Sequence, residues 1–167
     1  MRDTARQILV NIATPRDQEL LCRLFENLAS EFNTRPLTSA GLVINGAGNA
    51  AARTGAAVWY GSVRARLVSL AANTVLPALT GLTIAANTFN VAVFFIDAAG
   101  TTSVRFGTQG ATQGAVVFPD FPVDLCPIGF LLITHSSTFT GGTTALDTAT
   151  TAFVSPVGAF DPTFLYT

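Results

Sequence analysis

Two short strands joined by a tight turn stand out between Phe89 and Phe106. Asn90–Ile96 and Thr101–Phe106 flank Asp97-Ala98-Ala99-Gly100, and Asp first with Gly fourth is typical of a type I turn. Successive residues of a strand point to opposite faces, and both faces of the first strand are apolar: Val91, Val93 and Phe95 against Ala92, Phe94 and Ile96. Because both faces of such a strand need cover, the sequence predicts a layered β structure around it.

A second strand with two apolar faces is predicted from Ile128 to Thr134. Strict alternation places Ile128, Phe130 and Leu132 on one face and Leu131 and Ile133 on the other. A second sheet or an N-terminal helix would cover one face of each strand. For the other face, a partner subunit is the simplest candidate cover.

The segments around this second strand predict scaffold instead of a catalytic centre. Pro119, Pro122 and Pro127 restrict the backbone, so Phe118–Cys126 is expected to be a stiff, non-helical connection. Ser136–Thr144 is polar and contains a Gly-Gly pair, which predicts an exposed loop and the best candidate for an outward-facing surface.

The first 35 residues differ from the remainder, since they hold about half of the charges and almost no glycine. Thr14-Pro15-Arg16-Asp17 is typical of a helix start, and a shorter helix is predicted before it, at Thr4–Ile12. The longer helix carries one apolar face, made of Leu20, Leu21, Leu24, Phe25, Leu28 and Phe32. Two interpretations stay open: this face packs on the chain's own sheet, or the helix is an arm that docks on a neighbouring subunit.

The remaining chain predicts further strands at Gly41–Asn45, Val58–Leu70, Val116–Phe118 and Thr148–Val154. Gly46-Ala47-Gly48-Asn49-Ala50-Ala51 has the letters of a dinucleotide-binding loop, but a strand-like segment follows it and the next acid is Asp97, so a flexible turn is predicted instead. Residues 36–167 are therefore expected to form an antiparallel β-sandwich or jelly-roll-like domain, preceded by a helical arm at 1–35.

Composition limits the partners that the chain can have. The 167 residues are enough for one domain, and charged residues are only 11% of them. A formal net charge of −1 gives no basic footprint for nucleic acid, and no apolar run approaches the length of a membrane span. The first residues do not have the pattern of a secretory signal, so synthesis in a cytoplasm is the default expectation.

Few residues offer chemistry. His135 is the single histidine and is interpreted as a strand-end or loop residue, while Cys22 and Cys126 are interpreted as reduced, partly buried thiols. Asp120 and Asp124 are the only candidates for a carboxylate pair, but an acid beside proline more often caps a turn. We therefore expect no enzymatic activity, no cofactor and no metal site.

Three motifs follow the hairpin in order: Phe118-Pro119-Asp120-Phe121-Pro122, Cys126-Pro127-Ile128-Gly129-Phe130, and Gly141-Gly142-Thr143-Thr144-Ala145-Leu146-Asp147. Their order resembles a pattern in structural proteins of tailed-bacteriophage virions. There, a hairpin ending in D-x-x-G precedes a proline-rich connection, a P-x-G-aromatic strand and a G-T-T-x-L-D segment. The resemblance covers roughly Phe89–Val154 and implies a head decoration (cement) protein or a fibre-like virion component, β-rich and usually oligomeric.

The resulting hypothesis is a capsid decoration protein that is made in the host cytoplasm and resides in the virion. Its expected partners are the major capsid protein and further copies of itself, in a homotrimer, with no nucleic acid and no membrane. The aromatic segment 160–167 is expected to be tied down, internally or on a neighbour. The candidate interface residues are Leu21, Leu24, Phe25, Leu28, Phe32, Phe121, Phe164 and Tyr166.

Two alternatives belong to other classes. A tail or host-recognition module would use Ser136–Thr144 to touch a receptor or glycan. An enzyme acting on cell-wall sugar would have only Asp120 and Asp124 to perform hydrolysis.

Overall fold

The structure is a computed structural model, and it describes residues 19–25 and 33–158. Residues 19–25 are helical, and the remainder is built mainly from antiparallel strands, which confirms the predicted fold class. The strands are β1 Arg35–Pro36, β2 Val43–Ile44, β3 Ala52–Arg53, β4 Trp59–Val63, β5 Arg66–Leu70, β6 Thr83–Ile84, β7 Phe89–Ile96, β8 Thr102–Phe106, β9 Cys126–Thr134, β10 Phe139–Thr140 and β11 Thr150–Val154, with a 3-10 helix at Gln113–Ala115.

The largest sheet has four antiparallel strands in the order β11-β9-β7-β8. Strands β7 and β8 form the predicted hairpin, and Asp97 shapes its turn: its Oδ1 accepts hydrogen bonds from the N–H groups of Ala99, at 2.9 Å, and Thr101, at 2.8 Å. Gly100 has a φ of 87°, in the left-handed region that glycine enters without a Cβ clash. The prediction for this unit is confirmed in both strands and turn.

A smaller sheet has the order β1-β4-β5. Its hairpin shows that one predicted strand was wrong. Val58–Leu70 was expected to be a single strand, but Arg64 and Ala65 reverse the chain and create the hairpin of β4 and β5. Both turn residues have positive φ, 48° and 64°, as a type I′ turn requires. The prediction was wrong because this turn contains no glycine or asparagine to signal it.

The main core lies where the two sheets face each other. Trp59, Val63 and Val68 from the small sheet belong to one buried cluster with Phe94, Ile96 and Ile133 from the large sheet. The ring of Trp59 lies so close to Gly61 that a Cβ on Gly61 would overlap it. This closely packed interior makes the two sheets the layers of a sandwich.

The other face of the large sheet is covered by residues 116–125, which we call the proline-rich cover. Val91, Val93 and Phe95 of β7 are fully buried on this face, beneath Val116, Phe118, Phe121 and Leu125. These three residues therefore face the cover. Ala92, Phe94 and Ile96, which alternate with them, face the main core, as the sequence predicts. The expectation that a partner subunit covers this face was wrong, because the chain supplies the layer itself.

A β-bulge in β9 changes one predicted face assignment. Phe94 pairs with Gly129 while the next residue, Phe95, pairs with Pro127, so Ile128 is an extra residue in the ladder. Ile128 consequently joins Leu131 and Ile133 in the main core instead of Phe130 and Leu132 under the cover. The bulge also accommodates Pro127, which has no N–H for a ladder hydrogen bond.

Two smaller expectations also need correction. Val116–Phe118 is no strand, since only Val117 forms a bridge, to Thr108. The predicted loop Ser136–Thr144 contains β10, in which Phe139 is completely buried. Strand β1, Arg35–Pro36, spans the position of the predicted boundary between residues 1–35 and 36–167.

Candidate interaction surfaces

The helical segment at 19–25 exposes its apolar side chains. Leu20, Leu24 and Phe25 are 60%, 56% and 56% exposed, although they lie on the face that the spacing assigned to packing. Glu19 and Arg23, one turn apart, form an ion pair at 2.6 Å. The described β strands therefore leave this part of the predicted apolar face uncovered.

Thr34 fixes the chain that leads from this helix into the β-sandwich. Its Oγ1 accepts a hydrogen bond from the Arg64 N–H at 3.0 Å and donates one to the Val123 carbonyl at 2.8 Å. The carbonyl of Asn33 accepts a further hydrogen bond from the Ala65 N–H at 3.1 Å. The entry point of the arm is thus anchored to both the β4–β5 turn and the proline-rich cover.

The outer face of the small sheet is a second exposed surface. The register places Arg35, Ser62 and Leu67 in one row across β1, β4 and β5, with Tyr60 and Ser69 in the next row. Leu67 and Tyr60 are exposed large apolar side chains on this face. Sequence reasoning missed the surface because it did not separate β4 from β5, and the alternation within each short strand is the signal that could have found it.

The glycine loop between β2 and β3 is held by a distant carboxylate. Oδ2 of Asp147 accepts a hydrogen bond from the Gly48 N–H at 2.7 Å, and the Leu146 N–H donates to the Asn49 carbonyl at 3.0 Å. A strand, β3, follows the loop at the place where a dinucleotide-binding motif has a helix. The chain's own carboxylate thus occupies the Gly48 N–H of this loop.

Hydroxyl-bearing residues border β10 on the surface. Ser136, Ser137, Thr138 and Thr140 are exposed, whereas Phe139 between them is buried beneath the sheet pair of β6 and β10. Gly141 is buried as well, against the Leu79 carbonyl, where a Cβ would overlap the oxygen. These hydroxyl-bearing residues form an exposed rim at β10, where the sequence predicted an exposed loop.

The candidate chemical residues have local roles in the structure. Nδ1 of His135 accepts a hydrogen bond from the Ser137 N–H at 3.2 Å and lies 2.9 Å from the Ser137 hydroxyl, two residues away. Asp120 and Asp124 are exposed. Within the described residues, no group of three or more His, Cys, Asp or Glu side chains could hold a metal ion.

The two cysteines differ in environment. Cys22 is exposed on the helical segment, and Cys126 is buried at the start of β9. Burial raises the pKa of the Cys126 thiol to about 12, and a backbone hydrogen bond from Ser62 opposes part of that rise. Cys126 is therefore a neutral, unreactive core residue at ordinary pH.

The predicted interface residues divide into three groups. Leu24 and Phe25 are exposed, and Leu21 is half-buried on the same helical segment. Phe121 is half-buried in its own chain, with its ring centroid 5.3 Å from that of Phe95. Leu28, Phe32, Phe164 and Tyr166, together with the short helix predicted at Thr4–Ile12, lie outside the described residues.

No protein-family model, curated protein or solved structure matches the chain. In the part of the chain that the structure describes, no helix is long and apolar enough to cross a membrane.

Proposed function

We propose that the protein is a virion component of a tailed bacteriophage, a decoration protein that binds and stabilises the outer surface of the head. The apolar side of the helical segment at 19–25 is the observation that carries this proposal. The motif order from Phe89 to Val154 adds the resemblance to virion structural proteins. In this role the arm attaches the protein to its partner, and the β-sandwich is the body that it holds on the surface.

The unequal burial of the two parts of the chain supports an assembly role. The large sheet is covered on both faces by its own chain, so its apolar residues need no partner. Leu20, Leu24 and Phe25 remain in contact with water, which costs free energy until another surface covers them. Fully burying a side chain of this size contributes about 1.5–3 kcal/mol, so covering these three side chains favours docking.

Stabilisation of the shell would follow from mass action. A subunit that binds the assembled shell but not its separated parts lowers the free energy of the assembled shell and leaves that of the parts unchanged. The stabilisation per site is RT ln(1 + [L]/Kd), where [L] is the concentration of free subunit and Kd is its dissociation constant for the shell. No catalytic group is needed for this activity. The candidate partners are the major capsid protein and a second copy of this chain, which would form the homotrimer.

Rebinding to purified heads that lack the protein tests the proposal. The double variant Leu24→Gln and Phe25→Gln keeps good helix formers but removes the apolar contact, and its Kd for heads should rise by about a hundredfold, equivalent to about 3 kcal/mol. The matched control, Glu19→Gln with Arg23→Gln, changes the exposed ion pair and should bind like the wild type. Equal cosedimentation of all three proteins with heads would contradict the role of the arm.

Quantitative mass spectrometry of purified virions tests the location. A decoration protein should be present in copies comparable in number with the shell subunit. Absence of the protein from the particle would refute both the head location and any other virion role.

A second candidate function is a tail or host-recognition module, and the exposed hydroxyl rim at β10 favours it. Ser136, Ser137, Thr138 and Thr140 offer donors and acceptors of the kind that contact glycans. The copy number separates the two candidates, since a tail tip contains only a handful of copies. Ser137→Ala with Thr138→Ala should reduce adsorption to host cells under the second function and leave head stability unchanged.

A further inference from the structure

Strand β5, Arg66–Leu70, lies at a free edge of the small sheet. Its order, β1-β4-β5, gives β5 a single strand neighbour among the described residues. The edge of a strand presents backbone N–H and C=O groups, and a further strand can pair with those that are unused. Leu67 and Ser69 of β5 are exposed, whereas Val68 is buried. The edge is therefore open to solvent at two positions.

The turn geometry shows that the Leu67 backbone points away from β4. Val63 and Arg66 flank the two-residue turn, so they form a hydrogen-bonded pair. The next pair, Ser62 with Leu67, therefore exchanges no hydrogen bonds. The Ser62 backbone instead forms a hydrogen bond with the Cys126 thiol. Both backbone groups of Leu67 are thus directed outward, at the free edge.

The pair of Tyr60 and Ser69 repeats this geometry two residues along the hairpin. The Tyr60 carbonyl accepts hydrogen bonds from the N–H groups of Leu37, at 2.9 Å, and Thr38, at 3.2 Å, so it faces away from β5. The Ser69 backbone points in the opposite direction. No described residue forms a backbone hydrogen bond with Ser69 or Leu67 at this edge. The free edge therefore offers two donors and two acceptors.

The backbone groups beyond this part of the edge are already used. The Ala65 N–H donates to the Asn33 carbonyl at 3.1 Å. The Ala71 carbonyl accepts hydrogen bonds from the hydroxyls of Thr54, at 3.2 Å, and Thr74, at 2.7 Å. A strand that matches this short edge needs two donors and two acceptors at the same spacing, and β5 of a second copy of the chain has them.

We propose that β5 pairs with β5 of a second copy, antiparallel about a two-fold axis, with Leu67 opposite Ser69 of the other copy. In this register the pair forms four hydrogen bonds, and all four free groups of each copy are satisfied. A shift by two residues places Leu67 opposite Ala71, or Ser69 opposite Ala65, each of which has a backbone group already bonded. This two-fold contact differs from the three-fold contact of a homotrimer, and the inference is independent of the proposed virion function.

The side chains of β5 are compatible with the same register. Leu67 is 64% exposed, and the two copies of it become diagonal neighbours within reach of each other. Arg66 is the one charged residue of β5 and lies opposite Leu70 of the other copy, so the two Arg66 residues are about 14 Å apart along the strands. Edge strands that avoid pairing carry charges or proline, and β8, at the edge of the large sheet, has an exposed Arg105. The stretch 67–70 has neither.

The contact is small, so its test has to detect a weak pair. Five residues on each side bury much less than the ~1,600 Å² of a standard interface, and the pair should depend on protein concentration. Disulfide formation between engineered cysteines accumulates such a pair and reports its register. The exposed Cys22 is first changed to Ser in the full chain, whereas Cys126 is buried and stays.

The two reporter variants, made separately in this background, are Leu67→Cys and Ser69→Cys. Hydrogen-bonded partners have Cα atoms about 5.5 Å apart, within the range of a disulfide, whereas diagonal copies of one position are about 7–8 Å apart and fall outside it. An equal mixture of the two variants should therefore form disulfide-linked dimers about tenfold faster than either variant alone, because pairing raises the effective concentration. The control mixture combines Leu67→Cys with Tyr60→Cys, which is exposed on the same face but one strand farther from the axis, and it should react slowly.

Amide hydrogen exchange of the wild-type chain tests the hydrogen bonds themselves. Exchange at the Leu67 and Ser69 N–H groups should slow as the protein concentration rises. Exchange at the Ala65 N–H, which is bonded within the chain, should not change. The double variant Leu24→Gln and Phe25→Gln should show the same slowing, because the contact does not use the helical segment.

Three results would overturn the proposal. The first is an equal rate of disulfide formation in the two mixtures, or the fastest rate in a single variant. The second is exchange at Leu67 and Ser69 that does not depend on protein concentration. The third is slowing that requires the addition of another protein, since the edge would then bind a foreign strand and not a second copy.

Discussion

Arg64 and Ala65 turn the chain between β4 and β5 with φ angles of 48° and 64°. The left-handed conformation costs a residue with a Cβ about 1–2 kcal/mol, and the turn persists because neighbours hold it. Two of those neighbours are the Asn33 carbonyl, which accepts a hydrogen bond from the Ala65 N–H, and the Thr34 hydroxyl, which accepts one from the Arg64 N–H. The arm's entry segment and this strained turn therefore depend on each other.

Ala65→Gly should raise the free energy of unfolding by about 0.5 kcal/mol. Glycine removes the Cβ clash at φ 64°, and its larger conformational freedom in the unfolded chain offsets about half of that gain. Denaturant unfolding at constant pH measures the change. Ala111→Gly is the matched control, since Ala111 is exposed and outside the left-handed region, and it should lower stability by about 0.5 kcal/mol. Equal effects of the two changes would contradict strain in the turn.

Cys126 should make stability fall at alkaline pH. Burial raises the pKa of its thiol in the folded protein from 9.0 to about 12, so the folded state keeps a proton that the unfolded state releases. The contribution of this group is complete below pH 9 and is lost as the pH rises through 9 toward 12, at up to about 1.4 kcal/mol per pH unit.

The pH dependence can be isolated with Cys126→Ala, which lowers stability at neutral pH but removes this titration. The free energy of unfolding of the wild type should therefore decline more steeply above pH 9 than that of the variant. Cys22 is exposed in both proteins and serves as an internal control, because a thiol reagent at pH 8 should label it alone until the chain unfolds. Parallel pH curves would show that Cys126 does not titrate abnormally.

At the scale of elements, the two central strands were predictable and the bulge between them was not. The apolar alternation of β7 and the Asp97–Gly100 turn are local signals, and both are confirmed. The bulge at Ile128 arises where a proline-containing strand pairs with a regular one, which strict alternation in one strand cannot reveal. The β4–β5 turn was missed for a similar reason, because distant acceptors stabilise residues that seldom form such turns.

The candidate surfaces were predictable only in part. The apolar spacing on the N-terminal helix was visible in the sequence, and Leu24 and Phe25 were named from it. Whether that face is covered depends on tertiary packing, so spacing left two interpretations open. The contact between Asp147 and Gly48 joins residues that lie almost a hundred positions apart, and neither motif alone points to the other.

The proline-rich cover is an element whose contribution to stability can be measured. Phe121→Ala should lower the free energy of unfolding by about 2–3 kcal/mol, less than the ~3–5 kcal/mol of a fully buried phenylalanine because its ring is half-buried. The cause is loss of the contact with Phe95 and of cover over β7. Val123→Ala, on the same cover but exposed, is the control and should change stability by no more than about 0.5 kcal/mol. A similar loss in both variants would mean that the cover is not the second layer.

At the scale of the whole molecule, burial differs between the β-sandwich and the helical segment at 19–25. Both faces of the large sheet are covered within the chain, and Thr34 secures the point where the arm enters. The helical segment at 19–25 contributes apolar surface that the described body leaves in contact with water. Attachment and folding should therefore depend on different residues, and they can be separated by deletion.

Deleting residues 1–32 should leave a folded β-sandwich that no longer binds its partner. The cut keeps Asn33, Thr34 and β1, so the turn at Arg64 and the Val123 carbonyl retain their hydrogen bonds. Deleting residues 1–36 removes these groups and the edge strand, and each lost hydrogen bond costs about 0.5–1.5 kcal/mol. Thermal unfolding should thus give the shorter deletion a Tm near that of the full chain and the longer one a clearly lower Tm, whereas cosedimentation with heads should fail for both. If the deletion of 1–32 also fails to fold, the helix belongs to the core and the arm hypothesis is wrong.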